Sequence, residues 1–92
     1  MEKSTFTKEY QVFCRLLRQS REQSGITQVQ LAERLKETQS EISKFERGER
    51  RLDLVQLHQW CKATGVRLAD FARSFEDAVS VKRKQSSTRE RT

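Results

Sequence analysis

One short stretch of the sequence, residues 38–48, carries hydrogen-bonding side chains along one face of a helical repeat, with Ile42 and Phe45 on the opposite face. Such side chains suit the edges of DNA bases. A glutamine amide binds adenine through N6 and N7, and a lysine ammonium binds guanine through O6 and N7. The alternative is a polar helix face that meets only solvent. The candidate base-contacting residues are Gln39, Ser40, Ser43 and Lys44, followed on the same face by Arg47.

Two amphipathic helices joined by a tight turn must position this face. In both helices, apolar residues recur at the spacing of a single buried side. Thr38 is suited to cap the second helix, and Glu41, three residues later, completes the sequence pattern of a capping box. A helix, a short turn and a second capped helix are typical of a helix-turn-helix. We predict this motif over residues 27–48, with residues 38–47 as the helix that reads the major groove.

Three further helices are predicted around the motif. Apolar residues recur every three or four positions over about residues 7–24, again over 54–64, and again from residue 68 until the pattern fades near Val81. Five short helices with short links indicate a compact all-α domain. We therefore expect a five-helix, lambda-repressor-like helix-turn-helix domain over residues 1–81.

The net charge is +6 and the sequence pI is about 9.8, which suits an anionic partner such as double-stranded DNA. Residues 82–92 hold five basic residues and one acid, so this tail carries +4 and the rest of the chain only +2. Any DNA affinity of the domain must therefore come from local placement of charge. The same segment has no apolar residue, which predicts a disordered basic tail. Such a tail could add nonspecific attraction to DNA or to an anionic protein surface.

The residue types give no support for an enzyme, a cofactor or a metal centre. His58 is the only histidine, so a zinc site lacks ligands. Cys14 and Cys61 lie on apolar stripes of different predicted helices, where buried thiols are favoured over a disulfide. No apolar run is long enough to span a bilayer, and no secretory leader is visible. We therefore expect a cytoplasmic protein without enzymatic activity.

Several short motifs occur together at a joint spacing that is quite specific, although each alone would be weak. They are Arg21 before Gly25, Thr27-Gln28, Leu31-Ala32, the run Gln39-Ser40-Glu41-Ile42-Ser43-Lys44, Glu46-Arg47-Gly48, and Gly65-Val66 before Leu68. In these motifs, from about residue 21 to residue 71, the sequence resembles the XRE family of helix-turn-helix regulators. The five-helix domain of that family is shared with lambdoid repressors.

The resemblance implies roles for individual residues. Gln39, Ser40 and Lys44 match the usual base-contacting positions of the family. Arg21 and Glu46 match an ion pair that bridges the first and third helices and fixes the angle of the recognition helix. Because the planar guanidinium suits a carboxylate through two hydrogen bonds, lysine should substitute poorly at position 21.

Helix termini and cations supply candidate phosphate contacts. The second predicted helix opens at Thr27, where the Gln28 side chain and the adjacent backbone N–H groups could hold a phosphate oxygen; the resemblance assigns Gln28 this role. After the recognition helix, Arg47, Arg50 and Arg51 form a second candidate clamp on the DNA backbone. The alternative there is a solvated charged loop, because two glutamates are neighbours.

Lys36 and Ser20 depart from the family pattern. Lys36 stands in the turn where glycine is common, and a left-handed backbone at that residue would cost about 1 kcal/mol. Ser20 stands where an apolar residue is usual. Glu41 has two interpretations, because it either closes the capping box or accepts a hydrogen bond from a cytosine amino group; the cap is favoured.

Taken together, these patterns predict a sequence-specific DNA-binding transcriptional regulator, in the form of a homodimeric repressor on a palindromic operator. An alternative is an antitoxin-like protein that neutralises a partner protein through its termini and binds its own promoter secondarily. Residues 82–92 lack the apolar side chains that such a partner-binding segment needs. The apolar stripe of the fifth helix either packs against Phe6 and Tyr10 of the first helix or forms a two-fold dimer seam.

Overall fold

The computed structural model describes residues 7–91, with side chains for residues 7–80. Within that part the chain forms five α-helices and no strand. They are α1 (Lys8–Gln23), α2 (Gln28–Leu35), α3 (Gln39–Arg47), α4 (Leu54–Thr64) and α5 (Leu68–Arg91). The predicted all-α, five-helix architecture is confirmed.

The core lies beneath the inner faces of the five helices. Trp60 of α4 is fully buried, and Leu17, Leu31 and Ile42 are fully buried around it, from α1, α2 and α3 respectively. The Phe45 ring of α3 meets the Trp60 ring edge-on, with ring centroids 6.2 Å apart. Because α3 buries its apolar residues on one side, its hydrogen-bonding side chains must face outward.

A buried hydrogen bond explains the polar residue Ser20 in α1. The Ser20 hydroxyl donates to the Leu17 carbonyl oxygen at 2.7 Å and accepts from the Trp60 indole Nε1 at 3.0 Å. The same indole N–H also lies 3.3 Å from the Leu17 carbonyl oxygen, so Ser20 supplies the nearer of its two acceptors. The polar residue at position 20 is therefore accommodated in the core by a hydrogen bond to a residue far away in the sequence.

The turn between α2 and α3 keeps a left-handed geometry without glycine. Lys36 has φ 58° and ψ 44°, and its backbone N–H donates to the carbonyl oxygens of Ala32 and Glu33. Lys36 is the only non-glycine residue with a positive φ in the described part of the chain. The strain expected at this position, about 1 kcal/mol, is thus present in the native turn.

The capping box predicted at the start of α3 is only half formed. Thr38 accepts a hydrogen bond from the Glu41 backbone N–H at 3.1 Å. The Glu41 carboxylate lies instead beside Arg50, with Oε1 3.2 Å from Nε, because the opposite charge attracts it more strongly than a backbone N–H. The second half of that prediction is therefore wrong. Complete boxes form at the starts of α2 and α4, where glutamine holds the returning position.

The apolar stripe of α5 packs along α1. The Phe13 ring of α1 meets Phe71 edge-on at 5.9 Å and Phe75 edge-on at 6.4 Å between centroids, and Tyr10 lies 5.3 Å from Phe13. Of the two alternatives for this stripe, packing against the first helix is therefore observed within the chain, with Phe13 as its centre. Phe6, named in that alternative, lies outside the described residues.

The last helix continues to Arg91, past the end near Val81 that the sequence pattern indicates. The side chains of residues 81–92 lie outside the described part. The basic tail predicted to be disordered falls on this segment, where the described backbone is helical to Arg91. Disorder of the tail therefore stays a prediction, which truncation can test.

Candidate nucleic-acid interface

The outward side of α3 carries the four residues predicted to contact bases. Gln39 and Ser40 are exposed at its N-terminal end, and Ser43 and Lys44 follow one turn later, half-buried. We call these four residues the reading face. An amide, two hydroxyls and an ammonium on one side of a helix offer the donors and acceptors that pair with base edges in the major groove.

A side-chain hydrogen bond joins the start of α3 to the start of α2. Gln39 Nε2 donates to Gln28 Oε1 at 2.6 Å. A glutamine amide has two N–H donors and one carbonyl acceptor. The bond therefore uses one donor and leaves the other N–H and the carbonyl oxygen of Gln39 for the bidentate pattern of adenine. The structure shows that Gln28 supports the first residue of the reading face; the phosphate contact predicted for Gln28 stays a prediction.

Glu46 connects this glutamine pair to α1. Its Oε1 accepts from Gln28 Nε2 at 3.0 Å and from Arg21 Nη2 at 3.2 Å, while its Oε2 accepts from Arg21 Nε at 2.7 Å. Arg21 Nη1 donates to the Ile26 carbonyl oxygen at 3.1 Å. We call the chain of Arg21, Glu46, Gln28 and Gln39 the orienting network.

The ion pair within the orienting network is largely shielded from water. The side chains of Arg21 and Glu46 are 12% and 4% exposed. The hydrogen bonds to Glu46 raise the pKa of the Arg21 guanidinium despite its partial burial, so the arginine stays charged. Since Arg21 lies in the last turn of α1, the network ties that helix to both helices of the motif.

Arg47 is paired within the protein. Its Nε and Nη2 each lie 3.0 Å from a carboxylate oxygen of Glu49, and its Nη1 donates to the Ser43 hydroxyl. The hydrogen bonds from Arg47 lower the pKa of the Glu49 carboxyl, which is solvent-exposed. Glu49 holds the Nε–Nη2 edge of the Arg47 guanidinium and Ser43 accepts from Nη1, so three of its five N–H donors are used within the protein.

The other two arginines of the predicted clamp contact different residues. Arg50 lies beside Glu41, and its Cζ is 5.7 Å from the centroid of the Phe45 ring. Arg51 lies over the ring of Tyr10 on α1, with Cζ 4.3 Å from its centroid. The three arginines were predicted to form one clamp. Their separate partners could not be predicted from the sequence, because each contact depends on how the loop after α3 folds back onto the domain.

The described residues were also compared with the requirements of a metal site and of a membrane-spanning helix. No group of three or more potential metal ligands comes together among them, and none of their helices has the length and apolar character needed to cross a bilayer. Cys14 and Cys61 are buried free thiols. Burial raises the pKa of Cys61 to about 11, so little of this cysteine is the reactive thiolate near neutral pH.

Comparison with known proteins agrees with this geometry. A helix-turn-helix family model matches residues 17–71. A search of curated proteins gives no match. Among solved structures, an XRE-family like protein from Pseudomonas syringae pv. tomato str. DC3000 is 36% identical in sequence with a TM-score of 0.73, and the match covers 82% of this chain and 92% of that chain. The resemblance seen in the sequence is confirmed, and the chain belongs to the XRE family of helix-turn-helix DNA-binding regulators.

Proposed function

We propose that this protein is a sequence-specific repressor that binds a palindromic operator as a homodimer and reads the major groove with α3. The observation that carries the proposal is the orienting network. It leads from a shielded ion pair to the exposed amide of Gln39, with each member hydrogen-bonded to the next. If α3 faced only solvent, nothing would require hydrogen bonds that fix the side chain of its first residue, Gln39.

The reading face supplies the proposed base contacts. Gln39 would pair with adenine through its remaining N–H and carbonyl oxygen, and Lys44 would donate to guanine. Ser40 and Ser43 can donate to or accept from several bases, so they add contacts of lower discrimination. Each good bidentate pair contributes about 1–3 kcal/mol of discrimination against a wrong base.

Phosphate contacts flank this face on two sides. On one side, α2 begins at Gln28 with Thr27 as its N-cap, so unpaired backbone N–H groups and the positive end of the helix dipole face outward. On the other side, Arg47 ends α3, and the loop that follows carries Arg50 and Arg51. Because Glu49 already compensates the charge of Arg47, a phosphate at Arg47 would gain less electrostatic energy than at an unpaired arginine.

The dimer and the repressor role follow from how such domains use symmetry. A two-fold dimer presents two recognition helices to half-sites about one helical turn, roughly 34 Å, apart. Occupancy of such a site is enough to exclude other proteins from the same stretch of DNA, so repression requires no further activity. Val79, which is half-buried at the end of the described part of the α5 stripe, is one apolar side chain that could extend into a dimer seam.

Selection of bound duplexes from a random DNA pool, at near-physiological salt, tests the proposal. We expect an enriched two-fold site with half-sites about one turn apart. A Gln39→Ala/Lys44→Ala variant, selected in parallel, is the matched control and should lose the enriched positions while keeping its helicity. Salt-sensitive binding with no enriched sequence would contradict base reading and would favour the antitoxin-like alternative instead.

A further inference from the structure

We propose that Glu41 is a positioning residue for DNA binding: its carboxylate holds the Arg50 guanidinium across the Phe45 ring, so that the outer end of Arg50 can bind a backbone phosphate. The inference rests on the proposed DNA-binding function and deepens it. It gives Glu41 a role that neither a helix cap nor a base contact supplies.

The contact links two places that are separated along the chain. Glu41 lies in the first turn of α3, whereas Arg50 follows Gly48, the residue that caps the end of that helix. With Nε 3.2 Å from Glu41 Oε1, the arginine is drawn back along α3 toward the first turn of that helix. The Phe45 ring, 5.7 Å from Cζ, lies beneath the guanidinium. A carboxylate at its side and a ring beneath it restrict a side chain that would otherwise be mobile.

The contact leaves the outer end of Arg50 available. The contact with Glu41 is made through Nε, and the arginine fork carries four further N–H donors on its two terminal nitrogens. The Arg50 side chain is 53% exposed. Arg47 differs, because Glu49 occupies two of its nitrogens and Ser43 the third. Arg50 can therefore bind a phosphate while its pair with Glu41 persists, and it keeps more N–H donors for that purpose than Arg47 does.

Glu41 is not explained by the roles first considered for it. Its carboxylate does not close the capping box, and its Oε1 is shielded from solvent and receives no well-aligned hydrogen bond from the described residues. A lone carboxylate on this helix would repel phosphate. Its charge is balanced by Arg50 alone among the described ion pairs. Loss of Arg50 would leave a shielded carboxylate uncompensated, so the two residues should act as a coupled unit.

A double-mutant cycle on the full chain tests the proposal. The variants are Glu41→Gln, Arg50→Gln and their combination, with Glu37→Gln as the matched control, since Glu37 is an exposed carboxylate in the neighbouring turn. Affinity for a fluorescein-labelled duplex of mixed sequence is measured by anisotropy over a range of salt concentrations. Such a duplex suffices because phosphate contacts do not depend on sequence. Circular dichroism melts show that each variant is folded at the assay temperature.

We expect Glu41→Gln and Arg50→Gln each to weaken binding by about threefold to tenfold and to lower the salt slope by about 0.9, the amount expected for one lost phosphate contact. The double variant should bind no more weakly than Arg50→Gln alone. Glu37→Gln should bind as tightly as the wild type or slightly more tightly. Arg50→Lys keeps the charge but loses the fork, so it should also bind more weakly, and as an exposed substitution it carries little risk of unfolding.

Three results would overturn the inference. Tighter binding by Glu41→Gln, to the same degree as Glu37→Gln, would show that Glu41 only repels DNA. An undiminished effect of Glu41→Gln in the Arg50→Gln background would show that Glu41 does not act through Arg50. Wild-type affinity of Arg50→Lys would show that the position of the charge is unimportant. If the wild type itself shows no salt-dependent binding, the proposed function fails together with the inference.

Discussion

Replacing Arg21 with lysine should destabilise the domain even though the charge at this position is kept. Arg21 makes three hydrogen bonds, two to the Glu46 carboxylate at 2.7 and 3.2 Å and one to the Ile26 carbonyl oxygen at 3.1 Å. A lysine ammonium is a compact charge that cannot reach these separated acceptors at once. We assume that one contact to the carboxylate survives and two hydrogen bonds are lost.

The expected cost follows from the burial of the pair. With Glu46 only 4% exposed, water can replace the lost donors only in part, so Arg21→Lys should cost about 2 kcal/mol. Arg21→Ala removes the charge as well. It should cost about 3 kcal/mol, at the low end for a broken buried pair, because Gln28 still donates to Glu46. For a domain of this size, these losses correspond to falls in Tm of about 8–16 °C and about 12–24 °C.

Thermal and urea unfolding followed by circular dichroism measure these losses. The matched control is Arg18→Lys on the same helix. Its pair with Glu22 spans 3.4 Å, and the two side chains are 62% and 56% exposed, so that substitution should change stability by less than about 0.5 kcal/mol. If Arg21→Lys unfolds like Arg18→Lys, the forked contact is not a stabilising element and the reasoning is refuted.

Four shorter predictions concern other parts of the chain. Lys36→Gly should raise stability by about 1 kcal/mol in urea unfolding, because glycine removes the left-handed strain; a loss of stability would contradict the strain argument. Arg47→Ala should weaken binding to all duplexes and lower the salt slope by about 0.9, and an unchanged slope would remove Arg47 from the phosphate contacts. Truncation after Val81 should leave the helicity of residues 1–81 and the Tm of the domain unchanged. A large fall in Tm would show that the tail stabilises the domain and would disprove the predicted disordered tail. Cys61, whose pKa burial raises to about 11, should resist thiol reagents near neutral pH until the protein unfolds, so rapid labelling of the folded protein would contradict its burial.

Local sequence signals were sufficient to predict most of the fold. The helices were predicted from apolar spacing, and their starts from capping residues such as Thr27 and Thr38. Gly48 and Gly65 have left-handed backbones directly after α3 and α4, as expected for C-terminal caps. These features could be predicted because each depends on residues within about one or two helical turns of one another.

The partners of polar side chains could not be predicted in the same way. Ser20 contacts Trp60, and Arg51 contacts Tyr10, across separations of about 40 residues in the sequence. Nothing local to these residues identifies their partners. The partner of Glu41 could not be predicted either. Its spacing from Thr38 fits a capping box, but the folded loop brings Arg50 beside its carboxylate. The resemblance to a known family supplied the Arg21 and Glu46 positions but not the contact between Glu41 and Arg50.

The measurement that tests the central claim most directly is the affinity of wild type and Gln39→Ala for the selected operator and for variants of it with each base pair replaced in turn. If α3 reads bases, Gln39→Ala should cost about 1–3 kcal/mol per half-site on the selected operator. The affinity of this variant should also no longer depend on the base pair at one position, which recurs symmetrically in the two half-sites. Equal weakening on every duplex, with the wild-type pattern of preferences intact, would show that Gln39 does not read a base and would contradict the account.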